Sequence, residues 1–160
     1  MKESALAGAM ANSPARGKRI LVTGGGTGGH VYPALAVLEA LTADEQRGLA
    51  VGWVGRAGGV EQHLAERHGL EFMSLPAGPV VGATARGLVQ SLAAQARGIL
   101  AGRRLIAHWR PDAVLATGGY VSVPLVVAAW TSRVPVLLYL PDMEPGLAIR
   151  YLAPLAKVVA

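Results

Sequence analysis

His30 ends a glycine-rich run in which the residue types and their spacing could do chemistry. Residues 24–29 comprise five glycines and one threonine, and they follow the apolar stretch 19–23. Backbone N–H groups in such a turn can approach an anion closely, particularly where a helix begins. An imidazole beside the turn can take a proton near neutral pH. The run therefore predicts a strand that leads into an anion-binding turn. His30 would end this turn, and a helix with Pro33 in its first turn would follow.

The same glycines leave other interpretations open. The spacing of Gly24, Gly26 and Gly29 also fits the fingerprint of dinucleotide-binding proteins. That fingerprint adds an acidic residue after the second strand, which holds a ribose hydroxyl. Here the predicted second strand ends at Arg56, and the next acid is Glu61. A nicotinamide enzyme and a purely structural glycine turn therefore remain alternatives to another phosphate-binding protein.

A second glycine-rich turn, residues 117–122, follows the predicted strand 113–116. In open α/β sheets, ligands bind outside the carboxyl ends of the strands. Two glycine turns at that edge favour a cleft more strongly than either turn alone. The alternative is that Gly118 and Gly119 only allow close packing of a strand and a helix.

Short apolar runs alternate with helical segments along the chain, a pattern that predicts an α/β fold with a parallel sheet. Strands are predicted at 19–23, 50–55, 72–75, 113–116, 135–140 and 156–160. Helices are predicted near 33–42, 59–68, 84–109, 123–132 and 146–153. Because the last predicted strand coincides with the last residue given, we expect a second domain to follow.

The composition is typical of one ordered domain. Of the 160 residues, 52% are hydrophobic and 16% are charged, which is enough for a single α/β core. No apolar run approaches the roughly 18 residues of a membrane span. Residues 1–17 are expected to be a disordered lead and not a secretory signal. Without cysteine, and without metal-ligand spacing of other residues, the sequence predicts no disulfide, metal site or cofactor.

Both glycine turns, in order, resemble the MurG family of glycosyltransferases. The matching stretches are Gly25-Gly26-Thr27-Gly28-Gly29-His30-Val31-Tyr32-Pro33-Ala34-Leu35-Ala36, Arg110-Pro111-Asp112 and Gly118-Gly119-Tyr120-Val121-Ser122. That family transfers N-acetylglucosamine from UDP-GlcNAc to a lipid-linked muramyl-pentapeptide in peptidoglycan synthesis. The resemblance implies that residues 18–160 form a Rossmann-like sheet flanked by helices, the acceptor-binding N-terminal half of a GT-B fold. A C-terminal donor domain, absent from this sequence, would bind most of the UDP-GlcNAc.

The resemblance also implies roles for particular residues. His30 would be the catalytic base that takes the proton of the attacking sugar hydroxyl in an inverting transfer. The lipid-linked acceptor and its diphosphate would lie against Gly26, Thr27, Gly28, Gly29, Gly118, Gly119, Tyr120, Ser122 and Asp142. The implied location is peripheral, at the cytoplasmic face of the cell membrane.

One loop departs from the family's pattern. Where the family usually has His-Glu-Gln-Asn, this sequence has Tyr139-Leu140-Pro141-Asp142. The change removes two polar side chains from a loop that would line the cleft, so the identity of the acceptor stays open. A transferase acting on another lipid, such as a diacylglycerol or a different polyprenyl-linked sugar, is one alternative. A non-catalytic acceptor subunit that recruits a separate donor-binding chain is another.

The predicted helix at 84–109 carries four arginines and no acidic residue. At about 100° per residue, Arg86, Arg97 and Arg104 fall on one edge, opposite Leu88, Leu92, Ile99 and Ile106. Either these residues rest on an anionic membrane surface, assisted by the net charge of +5, or the apolar edge packs on the sheet. The three glycines at 87, 98 and 102 weaken the prediction of one continuous helix.

The remaining polar residues point to no further site. A nucleic-acid partner is disfavoured because the few aromatic residues do not alternate with basic ones. Glu61, His63, Glu66, Arg67 and His68 give the helix near 59–68 its charge. We expect this helix to be exposed and its histidines to be surface residues.

Overall fold

A parallel sheet of six strands lies at the centre of the protein. The computed structural model describes residues 17–26, 28–42, 48–79, 84–140 and 146–160. The strands are β1 (Arg19–Thr23), β2 (Ala50–Gly55), β3 (Glu71–Ser74), β4 (Ala113–Ala116), β5 (Val136–Leu138) and β6 (Val158–Val159). The helices are α1 (Gly28–Thr42), α2 (Val60–Arg67), α3 (Ala85–Trp109), α4 (Ser122–Thr131) and α5 (Leu147–Leu152), and a 3-10 turn (Ala153–Leu155) follows α5.

The order of the strands reverses in the middle of the sheet. The order is β3-β2-β1-β4-β5-β6, and every neighbouring pair is parallel. The chain therefore builds the sheet outward from β1 on one side, then returns to the centre and builds outward from β4 on the other. This confirms the predicted α/β fold with a parallel, Rossmann-like sheet.

The hydrophobic core lies on both faces of the sheet. Successive side chains of a strand point to opposite faces, so Val114 and Ala116 of β4 pack with α3, α4 and α5. Leu115 packs on the other face with α1 and α2. Because both faces are buried at the centre of the sheet, strands β1, β2 and β4 are apolar runs rather than alternating ones. This explains why simple apolar runs located them.

The predicted element boundaries are correct to within two residues, except at the start of α1. The prediction that this helix starts at Pro33 is wrong, because α1 begins at Gly28 and contains Pro33. A proline inside a helix removes the N–H that would bond to the carbonyl four residues earlier. Here that carbonyl belongs to Gly29, in the first turn of α1, so the missing bond lies near the helix end. His30 is consequently a helical residue and not part of the preceding turn.

Helix α3 is continuous over 25 residues despite its glycines. A β-carbon at Gly98 would overlap the carbonyl oxygen of Pro76 and lie 2.9 Å from Cβ of Pro124 in α4. A β-carbon at Gly102 would lie 3.0 Å from Cβ of Ala128, also in α4. The glycines that weakened the prediction of one helix therefore let α3 and α4 approach closely.

Two predictions concern the ends of the chain and the membrane. Residues 1–16 of the predicted lead lie outside the described part of the chain. Among the residues that the structure describes, no helix has both the length and the apolar character needed to cross a membrane.

Candidate active site at the two glycine turns

A glycine turn follows each of the two central strands. Residues 24–26, the first glycine turn, leave β1, and residues 117–121, the second glycine turn, leave β4. The two strands are paired, with Thr23 opposite Ala116 at their carboxyl ends. In open α/β sheets, the point where the strand order reverses opens a crevice in which ligands bind. The sequence predicted both turns at one edge of the sheet, and the structure makes them neighbours.

The first glycine turn leads directly into α1. Gly26 has φ +86°, a conformation that favours glycine, and its N–H donates to Oε2 of Glu61 at 3.3 Å. Gly28, Gly29 and His30 are the first residues of α1. Backbone N–H groups at these positions have no acceptor within the helix, and the helix dipole favours an anion there. Thr27, predicted to bind the acceptor, lies outside the described residues.

Hydrogen bonds to the Gly118 and Tyr120 carbonyls hold the second glycine turn. Gly118 and Gly119 have φ +110° and +80°. Ser122 is fully buried, and its hydroxyl donates to the Gly118 carbonyl at 2.6 Å. On the other side, the amide nitrogen of Gln95 in α3 donates to the Tyr120 carbonyl at 3.1 Å. The Ser122 hydroxyl, predicted to bind the acceptor, is thus directed at the backbone of its own turn.

The two glycine turns pack against each other. A β-carbon at Gly119 would overlap the carbonyl oxygen of Gly25, and one at Gly26 would lie 3.3 Å from Cε1 of Tyr120. The Thr117 hydroxyl donates to the His30 carbonyl at 2.5 Å, which ties the second turn to the first turn of α1. Side chains larger than hydrogen would separate these segments.

The His30 ring lies against the second glycine turn. A β-carbon at Gly118 would lie 3.2 Å from both Cε1 and Nδ1 of His30, and one at Gly119 would lie 3.4 Å from Cδ2. The His30 side chain is half-buried. Its Nδ1 is buried and has no hydrogen-bond partner among the described residues. The imidazole is therefore held by packing against glycine backbone.

Most of the predicted site residues come together here. The two turns and the start of α1 contain Gly26, Gly28, Gly29, His30, Gly118, Gly119 and Tyr120. Asp142, like Thr27, lies outside the described part of the chain. The roles of all these residues in binding or catalysis stay predictions.

Glu61 is the largest departure from the sequence-based expectation. Although it lies on the helix predicted to be exposed, it is completely buried. Its Oε1 accepts a hydrogen bond from the Arg56 N–H at 3.1 Å, and its Oε2 faces the first glycine turn. Glu61, the first acid after β2, is therefore not accessible to the ribose of a dinucleotide, as the dinucleotide-binding fingerprint would require. His63 and His68 are exposed, which confirms their assignment to the surface.

Three buried polar residues that shape the site, Glu61, Gln95 and Thr117, were not predicted as site residues. Thr117 stands between a strand and a glycine pair, a position that could have marked it. Gln95 interrupts a row of small residues in α3, which is a weaker signal. Glu61 has no local signal, because an acid in the first turn of a helix is ordinarily explained by the helix dipole alone.

An apolar groove runs beside the second glycine turn, between α3 and α5. Its volume is about 290 Å³, and its lining includes Leu92, Tyr120, Val123, Leu147, Tyr151 and Leu152. Leu92, Leu147 and Tyr151 are 53%, 51% and 77% exposed. Apolar side chains this exposed, side by side, form a surface suited to an apolar partner.

The arginines of α3 are all exposed, whereas its predicted apolar edge is divided. Ile106 is buried in the core, and Leu88 and Ile99 are half-buried. Leu92 remains open in the groove. The edge is therefore buried at Ile106, partly buried at Leu88 and Ile99, and open at Leu92, so neither of the two interpretations of this helix applies to its whole length.

Comparison with known proteins places this fold in a family. Residues 20–160 match the model of the glycosyltransferase family 28 N-terminal domain. The UDP-N-acetylglucosamine–N-acetylmuramyl-(pentapeptide) pyrophosphoryl-undecaprenol N-acetylglucosamine transferase of Roseiflexus sp. (strain RS-1) is 46% identical over 161 residues, which cover 89% of this chain and 37% of that protein. The protein of the same name from Photobacterium profundum is 41% identical, over 90% of this chain and 40% of that protein.

A solved structure agrees with the sequence matches. The crystal structure of Acinetobacter baumannii MurG has a TM-score of 0.73 and 29% identity, over 89% of this chain and 40% of that chain. The chain thus spans about two fifths of the length of the relatives that it matches. Its sheet and helices have the fold of the N-terminal half of a GT-B glycosyltransferase. The chain belongs to glycosyltransferase family 28, as a member of its N-terminal domain family.

Proposed function

We propose that this chain is the acceptor-binding half of an inverting N-acetylglucosaminyltransferase. The proposed reaction transfers N-acetylglucosamine from UDP-GlcNAc to a lipid-linked muramyl-pentapeptide in peptidoglycan synthesis, and a donor-binding half supplies most of the UDP-GlcNAc site. The observation that carries the proposal is the packing of the His30 ring against Gly118 and Gly119 where the two glycine turns meet. The names of the similar proteins describe the same transfer.

The chemistry requires one base on the acceptor side. The acceptor hydroxyl oxygen attacks the anomeric carbon of the donor sugar, and a carbon–oxygen bond forms as the bond from that carbon to UDP breaks. UDP leaves with the bonding electrons, and the hydroxyl proton passes to the base. We assign this base to Nε2 of His30, because Nδ1 is buried against Gly118.

The start of α1 supplies the site for the acceptor diphosphate in this proposal. The N–H groups of Gly28 and Gly29 lie at a helix N-terminus, where an anion is stabilised. The Gly26 N–H already donates to Glu61, so it contributes less than the sequence suggested. Tyr120, from the second turn, would form the opposite wall.

We further infer that the apolar groove and the start of α3 face the membrane. The exposed Leu92, Leu147 and Tyr151 offer apolar contact to a polyprenyl chain or to acyl chains. The arginines of α3 would attract anionic lipid, an effect of about 1 kcal/mol for each residue close to the surface. The protein would then be peripheral at the cytoplasmic face of the membrane, where its acceptor is anchored.

Replacement of His30 in the full-length protein tests the assignment of the base. Transfer of labelled N-acetylglucosamine to lipid-linked muramyl-pentapeptide is measured at steady state. His30→Ala should lower kcat by roughly 10²–10⁴-fold, the usual contribution of a general base. The matched control is His63→Ala, a substitution of an exposed histidine on α2, which should leave kcat unchanged.

Two other outcomes would contradict the proposal. A His30→Ala protein with the kcat of the wild type and a raised KM for the acceptor would make His30 a binding residue. A wild-type protein that transfers no N-acetylglucosamine to this acceptor would contradict the function itself.

The loop that begins at Tyr139 favours a second candidate, a transferase with a different or broader choice of acceptor. Tyr139 packs with the hydrophobic cluster on one face of the sheet, and Leu140 packs with the cluster on the other. These side chains replace two polar ones of the family pattern, and a site that stops pairing the polar groups of a substrate discriminates less well in its favour.

A panel of acceptors separates the two candidates. We expect kcat/KM for lipid-linked muramyl-pentapeptide to exceed that for simpler polyprenyl-diphosphate sugars and for diacylglycerol by a smaller factor than in a variant with His-Glu-Gln-Asn at 139–142. If the wild type already prefers the muramyl-pentapeptide strongly, and the variant behaves identically, this loop does not set the choice of acceptor.

A further inference from the structure

We propose that Glu61 is a positioning residue for the transfer reaction. Its carboxylate holds the first glycine turn against the second, and through this contact it places His30 and the start of α1. Glu61 is not proposed to touch either substrate. The inference rests on the proposed function, since it assigns a role within the same site.

The Glu61 carboxylate lies in a recess that glycines from two loops and a strand end make possible. β-Carbons added at Gly25 and Gly59 would lie 2.5 Å from Cδ and Oε1 of Glu61, respectively, and one added at Gly55 would lie 2.6 Å from its Cγ. These glycines come from the first glycine turn, from the end of β2 and from the residue before α2. The side chain therefore fills the space where the β1–α1 and β2–α2 connections meet.

The contacts of the carboxylate fix its position. Among the residues that the structure describes, two backbone N–H groups donate to it, Gly26 at 3.3 Å and Arg56 at 3.1 Å. A buried carboxylate is costly unless it is hydrogen-bonded. Glu61 also lies in the first turn of α2, where the helix dipole stabilises a negative charge. Because any displacement would leave a buried charge with fewer donors, the carboxylate resists movement.

Glu61 is connected to His30 by a chain of contacts through Gly25 and Gly119. Gly25 lies between the Glu61 carboxylate and Gly119, since a β-carbon on Gly25 would meet the former and one on Gly119 would meet the Gly25 carbonyl. Gly119 in turn packs against the His30 ring. If the carboxylate is lost, Gly25 can move back into the recess, and the contact that holds the second turn and His30 is relaxed.

Two substitutions separate the reach of the side chain from its ability to accept two hydrogen bonds. Glu61→Asp keeps the charge but is one methylene too short to reach both N–H groups. Glu61→Gln keeps the length but turns an NH2 group towards one of the two donors. Both variants should lower kcat/KM for the lipid-linked acceptor by up to about 10²-fold, the scale of a 1 Å misplacement of catalytic groups.

The measurement uses the full-length protein with UDP-GlcNAc and the acceptor that the wild type turns over. The expected result is a higher KM for the acceptor and a lower kcat, with the KM for UDP-GlcNAc unchanged to within about twofold. Glu66→Gln is the matched control, because Glu66 lies on the same helix with an exposed carboxylate. Thermal unfolding and titration of active sites report how much of each variant is folded.

Three outcomes with these variants would overturn the proposal. A loss of activity proportional to the unfolded fraction, with an unchanged acceptor KM, would make Glu61 a residue of stability alone, as would failure of both variants to fold. Folded variants with wild-type kinetics would show that the contact between Glu61 and Gly25 does not affect the activity of the site. A wild-type protein without transferase activity would instead contradict the proposed function, a result that these variants do not produce.

Discussion

The two glycine turns meet at one candidate site, but they are held in different ways. The second turn is supported from nearby at its Gly118 end, since the serine that bonds to Gly118 is four residues along the chain. Its Tyr120 end is held by Gln95, 25 residues earlier. The first turn has one positive φ, at Gly26, and is supported by a glutamate 35 residues away. The local sequence thus holds the Gly118 end of the second turn, whereas the first turn depends on the packing of another strand–helix unit.

This difference shows where the site is adjustable. His30 lies in the helix that follows the first turn, whose shape depends on a distant contact, and it packs against Gly118 and Gly119 of the second turn. Substitutions that alter the contact between the turns should therefore change activity. Substitutions that remove only a nearby bond to the second turn, such as the one from Ser122 to Gly118, should mainly change stability.

The largest effect is expected for Gly119→Ala, which would break the contact between the turns. Its β-carbon would overlap the Gly25 carbonyl, and φ at Gly119 is +80°. Backbone strain and overpacking each contribute about 1–3 kcal/mol, so we expect the free energy of unfolding to fall by about 2–6 kcal/mol. Urea denaturation measures this change, and the transfer assay should show a matching loss of kcat in the protein that remains folded.

Gly58→Ala is the control for backbone strain. Gly58 has φ +72°, but a β-carbon there would meet nothing within 4 Å. Its cost should therefore be about 1 kcal/mol, from conformation alone. If the two alanine variants lose equal stability, the close packing of Gly119 on Gly25 does not contribute, and the comparison between the turns fails.

A smaller effect should distinguish Thr117→Val from Ser122→Ala. Each substitution removes one hydroxyl that donates to a backbone carbonyl, but Thr117 bonds across to His30, whereas Ser122 bonds within its own turn. Both should lower the free energy of unfolding by about 1–2 kcal/mol. Only Thr117→Val should also lower kcat, because it frees the backbone that carries the imidazole. Equal kcat values for the two variants would remove the distinction.

Most of the fold could be predicted from the sequence because the central strands are short apolar runs with both faces buried. The strand Ala113–Ala116 was located to the residue. The start of α1 was misplaced because Pro33 is typical of a first turn, whereas the chain tolerates it one turn later. In α3, glycines that usually weaken a helix are instead required by its contact with α4.

The candidate site could be predicted only where the signal is local. His30 and the glycines stand together in the sequence, so their type and spacing indicated an anion-binding turn. Glu61 could not be found in this way, because its neighbours Gln62, His63 and Glu66 give α2 a polar pattern. The burial of Glu61 depends on the glycines around it, which the periodicity of α2 does not report.

The reversal of strand order at β1 and β4 has a consequence for synthesis. The partner of Gly26 is in place once α2 has emerged, but the partner of His30 is 87 residues away from it in sequence. At ribosomal rates of about 5–20 residues per second, the interval between synthesis of residues 61 and 117 is roughly 3–11 s. During that time, β1, β2 and α2 can pack together and fix the shape of the first turn, before β4, β5 and β6 of the sheet are complete. We expect the nascent chain to present an already shaped first turn to β4, so that assembly of the site is vectorial, from the amino terminus onward.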